Sequence, residues 1–171
     1  MQIIRPAADE FASSYGQYIS QVPGDDALPV LIASRAKTAA LLAGIPATRA
    51  GYRYAEGKWT VREVIGHLAD AERIFSYRML RIARGDATPL AGFDENRYVP
   101  EGRFEERPLA EIAAELAAVR DATLALARGL DAGRLVRRGV ASGKPVSARA
   151  LAWIIAGHEL HHLRVLGEKY L

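Results

Sequence analysis

Apolar residues recur at helical spacing in four long segments of this chain. They repeat every three or four positions within residues 28–43, 60–84, 108–130 and 147–167, which is the period of a helix that turns one face toward a core. Gly and Pro residues separate these segments and predict where the helices end. No strand-like alternation exceeds a few residues. The pattern therefore predicts an all-α fold, a four-helix bundle formed by residues 1–171 as a single domain.

Local signals refine the ends of these helices. Residues 7–22 repeat the same spacing over a shorter length and predict a short N-terminal helix on the outside of the bundle. The second long helix has the clearest start, because Thr60 followed by Glu63 is a capping box. Ser147 is the expected N-cap of the fourth long helix.

Two long connections bear on the order of the helices. More than twenty residues between Gly85 and Arg107 are rich in Gly, Pro and Asp and predict a loop without regular structure. Residues 131–146 predict a second loop. The first connection is long enough to cross the bundle, which would make the third helix parallel to the second and the fourth antiparallel to both. We therefore expect an up-down-down-up bundle with one long crossover.

The last predicted helix holds three of the four histidines. His158 and His162 are four positions apart, so their imidazoles share one helix face, and that face is the apolar one. His161 lies about 100° further round and is expected at the edge of the stripe or in solvent. A buried imidazole nitrogen without a partner costs roughly 1–3 kcal/mol. A divalent metal would satisfy the pair; a hydrogen-bonded or surface pair is the alternative.

His67, in the second turn of the second long helix, is the candidate third ligand. With a rise of about 1.5 Å per residue, the crossover order brings it to a height similar to that of His158 and His162. Three neutral imidazoles leave a coordination position open and suit divalent Zn, Ni, Fe or Mn. Asp70 and Glu159 are weak candidates for orienting the imidazoles as hydrogen-bond acceptors. Ordinary solvent-facing acids are an equally good interpretation of both.

Composition excludes several classes of function. The chain has no cysteine, which rules out disulfides, thiolate metal sites and a cysteine nucleophile. The formal charge is +3, and basic and acidic residues are interspersed, so no basic stripe favours nucleic-acid binding. No apolar run approaches the length of a membrane span. The first residues lack the apolar core of a secretory signal, and we expect a cytoplasmic protein.

Three segments carry a resemblance to a known family: GKWTVREVIGHLADAER, FDENRYV and IIAGHELHHL. In combination they resemble the DinB-like, YfiT-type superfamily of bacterial proteins over nearly the whole chain. The resemblance implies an up-down-down-up bundle and a metal held by one histidine of the second helix and a histidine pair of the fourth. Carried over by position, the ligands are His67, His158 and His162, and His161 is outside the pattern. Relatives also imply a homodimer.

The resemblance narrows the function without selecting one reaction. Relatives include metal-dependent hydrolases, bacillithiol S-transferases and mycothiol-dependent maleylpyruvate isomerase. We expect a metal-dependent hydrolase or low-molecular-weight-thiol S-transferase with one divalent ion, Zn or Ni ahead of Fe or Mn, that activates water or thiol against a small molecule. The alternative is a non-catalytic, stress-related bundle that binds metal or a small ligand. Phe93, Asp94, Arg97 and Tyr98 in the long connection are candidate substrate contacts.

Overall fold

The computed structural model describes residues 1–171 and consists mainly of helices. Four long helices form the bundle: α2 (Ala27–Ala43), α3 (Val61–Ala83), α5 (Leu109–Arg128) and α7 (Ala148–Lys169). The short elements are α1 (Gly16–Ile19), α4 (Glu95–Glu101), α6 (Ala132–Leu135), β1 (Arg138–Ala141), β2 (Lys144–Ser147) and four 3₁₀ turns (Ala8–Glu10, Ser13–Tyr15, Ala47–Arg49, Phe104–Glu106). None of the helices is both long enough and apolar enough to span a membrane.

Two hydrophobic clusters, one toward each end of the bundle, give the directions of the long helices. One cluster joins the start of α2, the ends of α3 and α5 and the start of α7, through Leu31, Met79, Leu124 and Leu151. The other joins the opposite ends, through Leu42, Val64, Ile112 and Leu166. Helices α2 and α7 therefore run one way and α3 and α5 the other. The up-down-down-up order with a crossover between α3 and α5 is confirmed.

The predicted helix starts are also confirmed. Thr60 Oγ1 accepts a hydrogen bond from the Glu63 backbone at 3.3 Å, and the Glu63 carboxylate accepts one from the Thr60 backbone at 2.7 Å. Ser147 Oγ accepts from the backbone of Ala150 at 3.0 Å. These bonds satisfy backbone N–H groups that have no partner inside the helix.

The N-terminal segment differs from the continuous helix expected over residues 7–22. It forms two 3₁₀ turns followed by the four-residue α1. Side-chain contacts hold the segment at both ends: Arg149 of α7 pairs with Glu10 in the first turn, and the guanidinium of Arg5 donates to the carbonyls of Ile19, Val22 and Gly24. Helix α1 packs closely on α7, where a methyl group at Gly157 would overlap the carbonyl of Tyr18.

Both long connections contain regular structure that the sequence pattern did not predict. In the first, Asp94 accepts from the backbone of Asn96 at 3.0 Å and starts α4. In the second, β1 and β2 pair antiparallel around Ser142 and Gly143, whose φ values of 53° and 71° suit the tight turn of a hairpin. Strands of four residues are too short to show an alternating pattern.

A polar layer lies between the two hydrophobic clusters. We call its larger part, Ser34, Thr38, Glu72, Arg120 and Glu159, the arginine network. The Arg120 side chain is 2% exposed and binds both oxygens of Glu72 at 2.8 and 2.7 Å and Glu159 at 2.8 Å. Thr38 donates to Glu159 at 2.7 Å. The network joins all four long helices at mid-height.

Candidate metal centre

The second part of the polar layer is formed by His67 of α3 and His158 and His162 of α7, which we call the histidine cluster. The Nε2 atom of His158 lies 3.1 Å from Nε2 of His67 and 3.2 Å from Nε2 of His162. One nitrogen from each residue lies within 4.8 Å of the others. Because α3 and α7 are antiparallel, the early turn of one meets the late turn of the other. The structure thus brings together the three residues that the sequence suggested.

The distances and the donor set fit a single divalent ion. Imidazole nitrogens bound to zinc at about 2.0–2.1 Å in tetrahedral geometry lie roughly 3.4 Å apart, close to the two short separations observed here. Burial lowers the pKa of His67 to about 4. Burial, and then the neighbouring imidazoles, lower the pKa of His162 to about 3 and that of His158 well below its ordinary value. All three are therefore neutral at pH 7, which is the form that binds metals.

Aromatic contacts orient these imidazoles. The ring of Trp59 lies 4.7 Å from that of His67, and the ring of Tyr18 meets His158 edge-on at 5.2 Å. His161 packs edge-on against His162 at 5.2 Å. It is half-buried at the edge of the cluster, as its position on the helix predicts. Packing against rings limits how far the ligand imidazoles can turn.

Carboxylates do not take part in this orientation. Asp70 Oδ1 accepts from Arg73 at 3.3 Å, and burial raises the pKa of Asp70. Both oxygens of Glu159 are bound, one by Thr38 and the other by Arg120. The structure therefore places neither acid in hydrogen-bond contact with an imidazole: Asp70 fits the alternative of a surface acid, whereas Glu159 is buried and fits neither interpretation. Glu159 is one position from a histidine and consequently points toward a different helix neighbour.

A cavity of about 270 Å³ opens beside the histidine cluster. Its walls are mostly aromatic, and its lining residues come from distant parts of the chain. Besides the three imidazoles, the lining includes Tyr15, Tyr18, Trp59, Phe75, Phe93, Glu95, Ser142 and His161. Glu95 is the only carboxylate among the lining residues. The cavity can therefore hold a small molecule next to the histidine cluster.

The segment suggested as a substrate contact is divided between two surfaces. Phe93 lines the cavity of the histidine cluster. Asp94, Arg97 and Tyr98 line a wider open cleft, which Asp70 and Phe93 also border. Direct contact of those three with substrate stays a prediction, for a ligand that extends past Phe93.

Sequence reasoning missed several lining residues. Tyr15 and Tyr18 precede the histidine pair by about 140 residues, and Ser142 lies in a turn whose folding partner was not visible. Glu95 was not missed, since it belongs to the segment 93–98 suggested as a substrate contact, but its place at the first position of α4 was not predicted. The only available signal was the spacing of Tyr15 and Tyr18, which indicated an amphipathic segment but not its contact.

Comparisons with known proteins support the fold. A family model described as the DinB superfamily matches residues 31–166. YfiT from Bacillus subtilis, described as a probable metal-dependent hydrolase with an unusual four-helix bundle topology, superposes with a TM-score of 0.75 at 19% identity, over 95% of this chain and 89% of its own.

Two further solved structures are similar. A mycothiol-dependent maleylpyruvate isomerase gives a TM-score of 0.66 at 18% identity, over 85% of this chain and 61% of its own. A DinB-like protein from Bacillus subtilis, YjoA, gives 0.59 at 21% identity, over 83% of this chain and 87% of its own. At such identities the likeness is one of fold. No curated protein matches the sequence.

Proposed function

The chain belongs to the DinB superfamily, and on this premise we propose that it is a metal-dependent enzyme acting on a small molecule. His67, His158 and His162 would hold one divalent ion, with Zn or Ni ahead of Fe or Mn. The observation that carries the proposal is the convergence of three neutral imidazole nitrogens beside a cavity of about 270 Å³. A ligand set without charged members suits a Lewis-acid site, because it leaves the full charge of the cation available.

The chemistry divides between the ion and the chain. When bound, the ion supplies Lewis acidity that activates water or a low-molecular-weight thiol against a small electrophile. Phe75 and Phe93 present apolar walls that limit the access of bulk water. Glu95 is exposed at the start of α4 and lines the same cavity, so its carboxylate is our candidate for accepting the proton of the nucleophile.

Two reactions fit this site equally. Hydrolysis is supported by the description of YfiT, and thiol transfer by the thiol dependence of the maleylpyruvate isomerase. A homodimeric assembly and a cytoplasmic location stay predictions.

The first experiment is metal analysis of the purified protein and of single variants. We expect about one divalent ion per chain, and its loss in His67→Ala and His162→Ala. His161→Ala is the matched control, since His161 lies next to His162 on the same helix and is outside the ligand set. Undiminished metal content in both ligand variants would contradict the site.

Turnover then separates the enzyme from a non-catalytic binder. Ester and amide hydrolysis and the transfer of low-molecular-weight thiols to an electrophile are assayed with and without a chelator. We expect one of the two reactions to depend on the metal and to weaken in Glu95→Gln, which keeps the size of the side chain but cannot accept a proton. A metal-loaded protein that is inactive in every assay would favour the binder.

A further inference from the structure

Arg78 is a buried cation without an anion. Its side chain is among the largest that are fully buried, with 2% of the residue exposed. Nη2 donates to the carbonyl of Ala91 at 2.7 Å and to Ser142 Oγ at 3.0 Å, and these acceptors are both neutral. The guanidinium also lies 5.9 Å from the ring of Phe75 and 5.8 Å from that of Phe93.

Arg120 shows what such a residue ordinarily requires. It is buried to the same degree and is bound by two carboxylates. Buried charges in proteins are generally paired, because removing an ion from water is costly. The absence of a paired carboxylate at Arg78 therefore indicates that its charge serves another group.

Ser142 connects this charge to the cavity. A guanidinium can only donate, so Ser142 Oγ must accept from Arg78, and its own hydroxyl hydrogen has no acceptor within the protein. Ser142 lines the cavity of the histidine cluster and is exposed. It also has a φ of 53°, a conformation that costs energy for most residues other than Gly, Asn and Asp. A strained residue thus holds a free hydroxyl donor, polarised by a cation, at the cavity wall.

We propose that Ser142, backed by Arg78, binds an anionic oxygen of the substrate, and that the substrate is a small carboxylate with a flat apolar body. The apolar body fits the aromatic walls of Tyr15, Phe75 and Phe93. This proposal rests on the proposed function only in taking the cavity as the substrate site. Glu95 is the one acid in the lining, and it disfavours an anion there, so its removal should tighten binding.

Benzoate and its neutral analogue benzamide are the probes. Both are titrated into metal-free protein at pH 8, where the imidazoles are neutral, and amide shifts are followed by NMR. We expect benzoate to shift the amides of cavity residues and to bind more tightly than benzamide. Glu95→Gln should increase the affinity for benzoate.

Two variants isolate the hydroxyl without disturbing the turn. Gly and Asn both accept a positive φ, so Ser142→Gly removes the donor and Ser142→Asn supplies an amide donor in its place. We expect Ser142→Gly to weaken benzoate by at least about tenfold, the low end of the effect of a hydrogen bond to a charged group, with benzamide within twofold. Ser142→Asn should recover part of the loss.

Two results would overturn the proposal: equal benzoate affinity in the wild type and Ser142→Gly, or no benzoate-dependent shift at the cavity. Because the titration needs neither metal nor turnover, its outcome is separate from that of the metal analysis and the activity assays.

Discussion

The arginine network and the histidine cluster are both built on α3 and α7, but they balance charge in different ways. In the network, one guanidinium faces two carboxylates, and hydroxyls bind the remaining positions. Burial alone would lower the pKa of Arg120, but the hydrogen bonds and charges of Glu72 and Glu159 raise it. In the histidine cluster, three imidazoles face each other, and no carboxylate belongs to the converging group.

The cavities beside the two groups also differ in volume. The cavity that reaches the network is about 20 Å³, close to what one water molecule needs. The cavity at the histidine cluster is more than ten times larger. A polar group whose charges are matched internally stabilises the bundle, whereas converging acceptors beside open space are suited to binding a ligand. The two regions should therefore respond oppositely to mutation.

The largest expected effect is the loss of the cation in the network. Arg120→Met leaves Glu72 and Glu159 buried opposite each other without a cation. We expect the free energy of unfolding to fall by about 3–5 kcal/mol, measured by urea denaturation of metal-free protein. Arg35→Met, which breaks an exposed pair with Asp121, is the control and should leave the unfolding midpoint nearly unchanged. Similar midpoints for the two variants would contradict a structural role for the network.

Acid should act on the histidine cluster before it acts on most carboxylates. The pKa of His67 is lowered by burial to about 4 in the folded protein and is about 6.5 in the unfolded chain. Between these values the unfolded chain binds more protons, so stability falls as the pH drops from 6.5 toward 4, by ~3 kcal/mol for His67 alone. Denaturation of metal-free protein at several pH values measures this slope. A double variant, His67→Ala with His162→Ala, should flatten it, and an unchanged slope would assign it to other groups.

Removing one imidazole ligand makes the corresponding test of the histidine cluster. His67→Ala should weaken binding of the divalent ion by more than about a hundredfold, since loss of groups that merely support a ligand already costs 10–100-fold. The metal-free variant should lose less stability than Arg120→Met, because no buried charge is left unpaired. Competition with a chromogenic chelator gives the affinity. Retention within tenfold of the wild type would remove His67 from the ligand set.

The smallest expected effect concerns Thr38, which binds Glu159, the chain neighbour of the ligand His158. Thr38→Val keeps the shape of the side chain but removes the donor to Glu159. We expect a loss of about 1.5–3 kcal/mol in stability, typical of a hydrogen bond to a charged group, and unchanged metal affinity. A loss of metal affinity in this variant would instead show that the position of Glu159 affects metal binding by His158, its neighbour in the chain.

The sequence allowed the long helices and the histidine cluster to be predicted for a physical reason. Both depend on periodicity within single helices and on the height at which crossing helices meet. Thr60, Glu63 and Ser147 report their caps through interactions three residues away. The four-position spacing of His158 and His162 puts both imidazoles on one helix face, whatever the helix packs against.

The features that the sequence did not predict depend on contacts between distant residues or on segments too short to show a period. The direction of Glu159 is set by Arg120, 39 residues away, and a single step along the helix changes the facing by about 100°. Helix α4 has seven residues, too few to establish a period. The position of Ser142 against Arg78 follows from the pairing of β1 with β2 and from the bridge between Leu90 and Ala141.

The close packing of α1 on α7 at Gly157 holds Tyr15 and Tyr18 in place, which makes this stretch a place to change the cavity by mutation. Tyr15 and Tyr18 reach the cavity from residues that precede the part matched by the family model, and Trp153 fastens that stretch through a 2.8 Å bond to the Ile3 carbonyl. The N-terminal stretch therefore supplies one wall of the cavity and is anchored on α7. A library randomised at position 15, which packs on Phe75, would diversify what the cavity admits while the contact of Tyr18 with the ligand His158 stays constant.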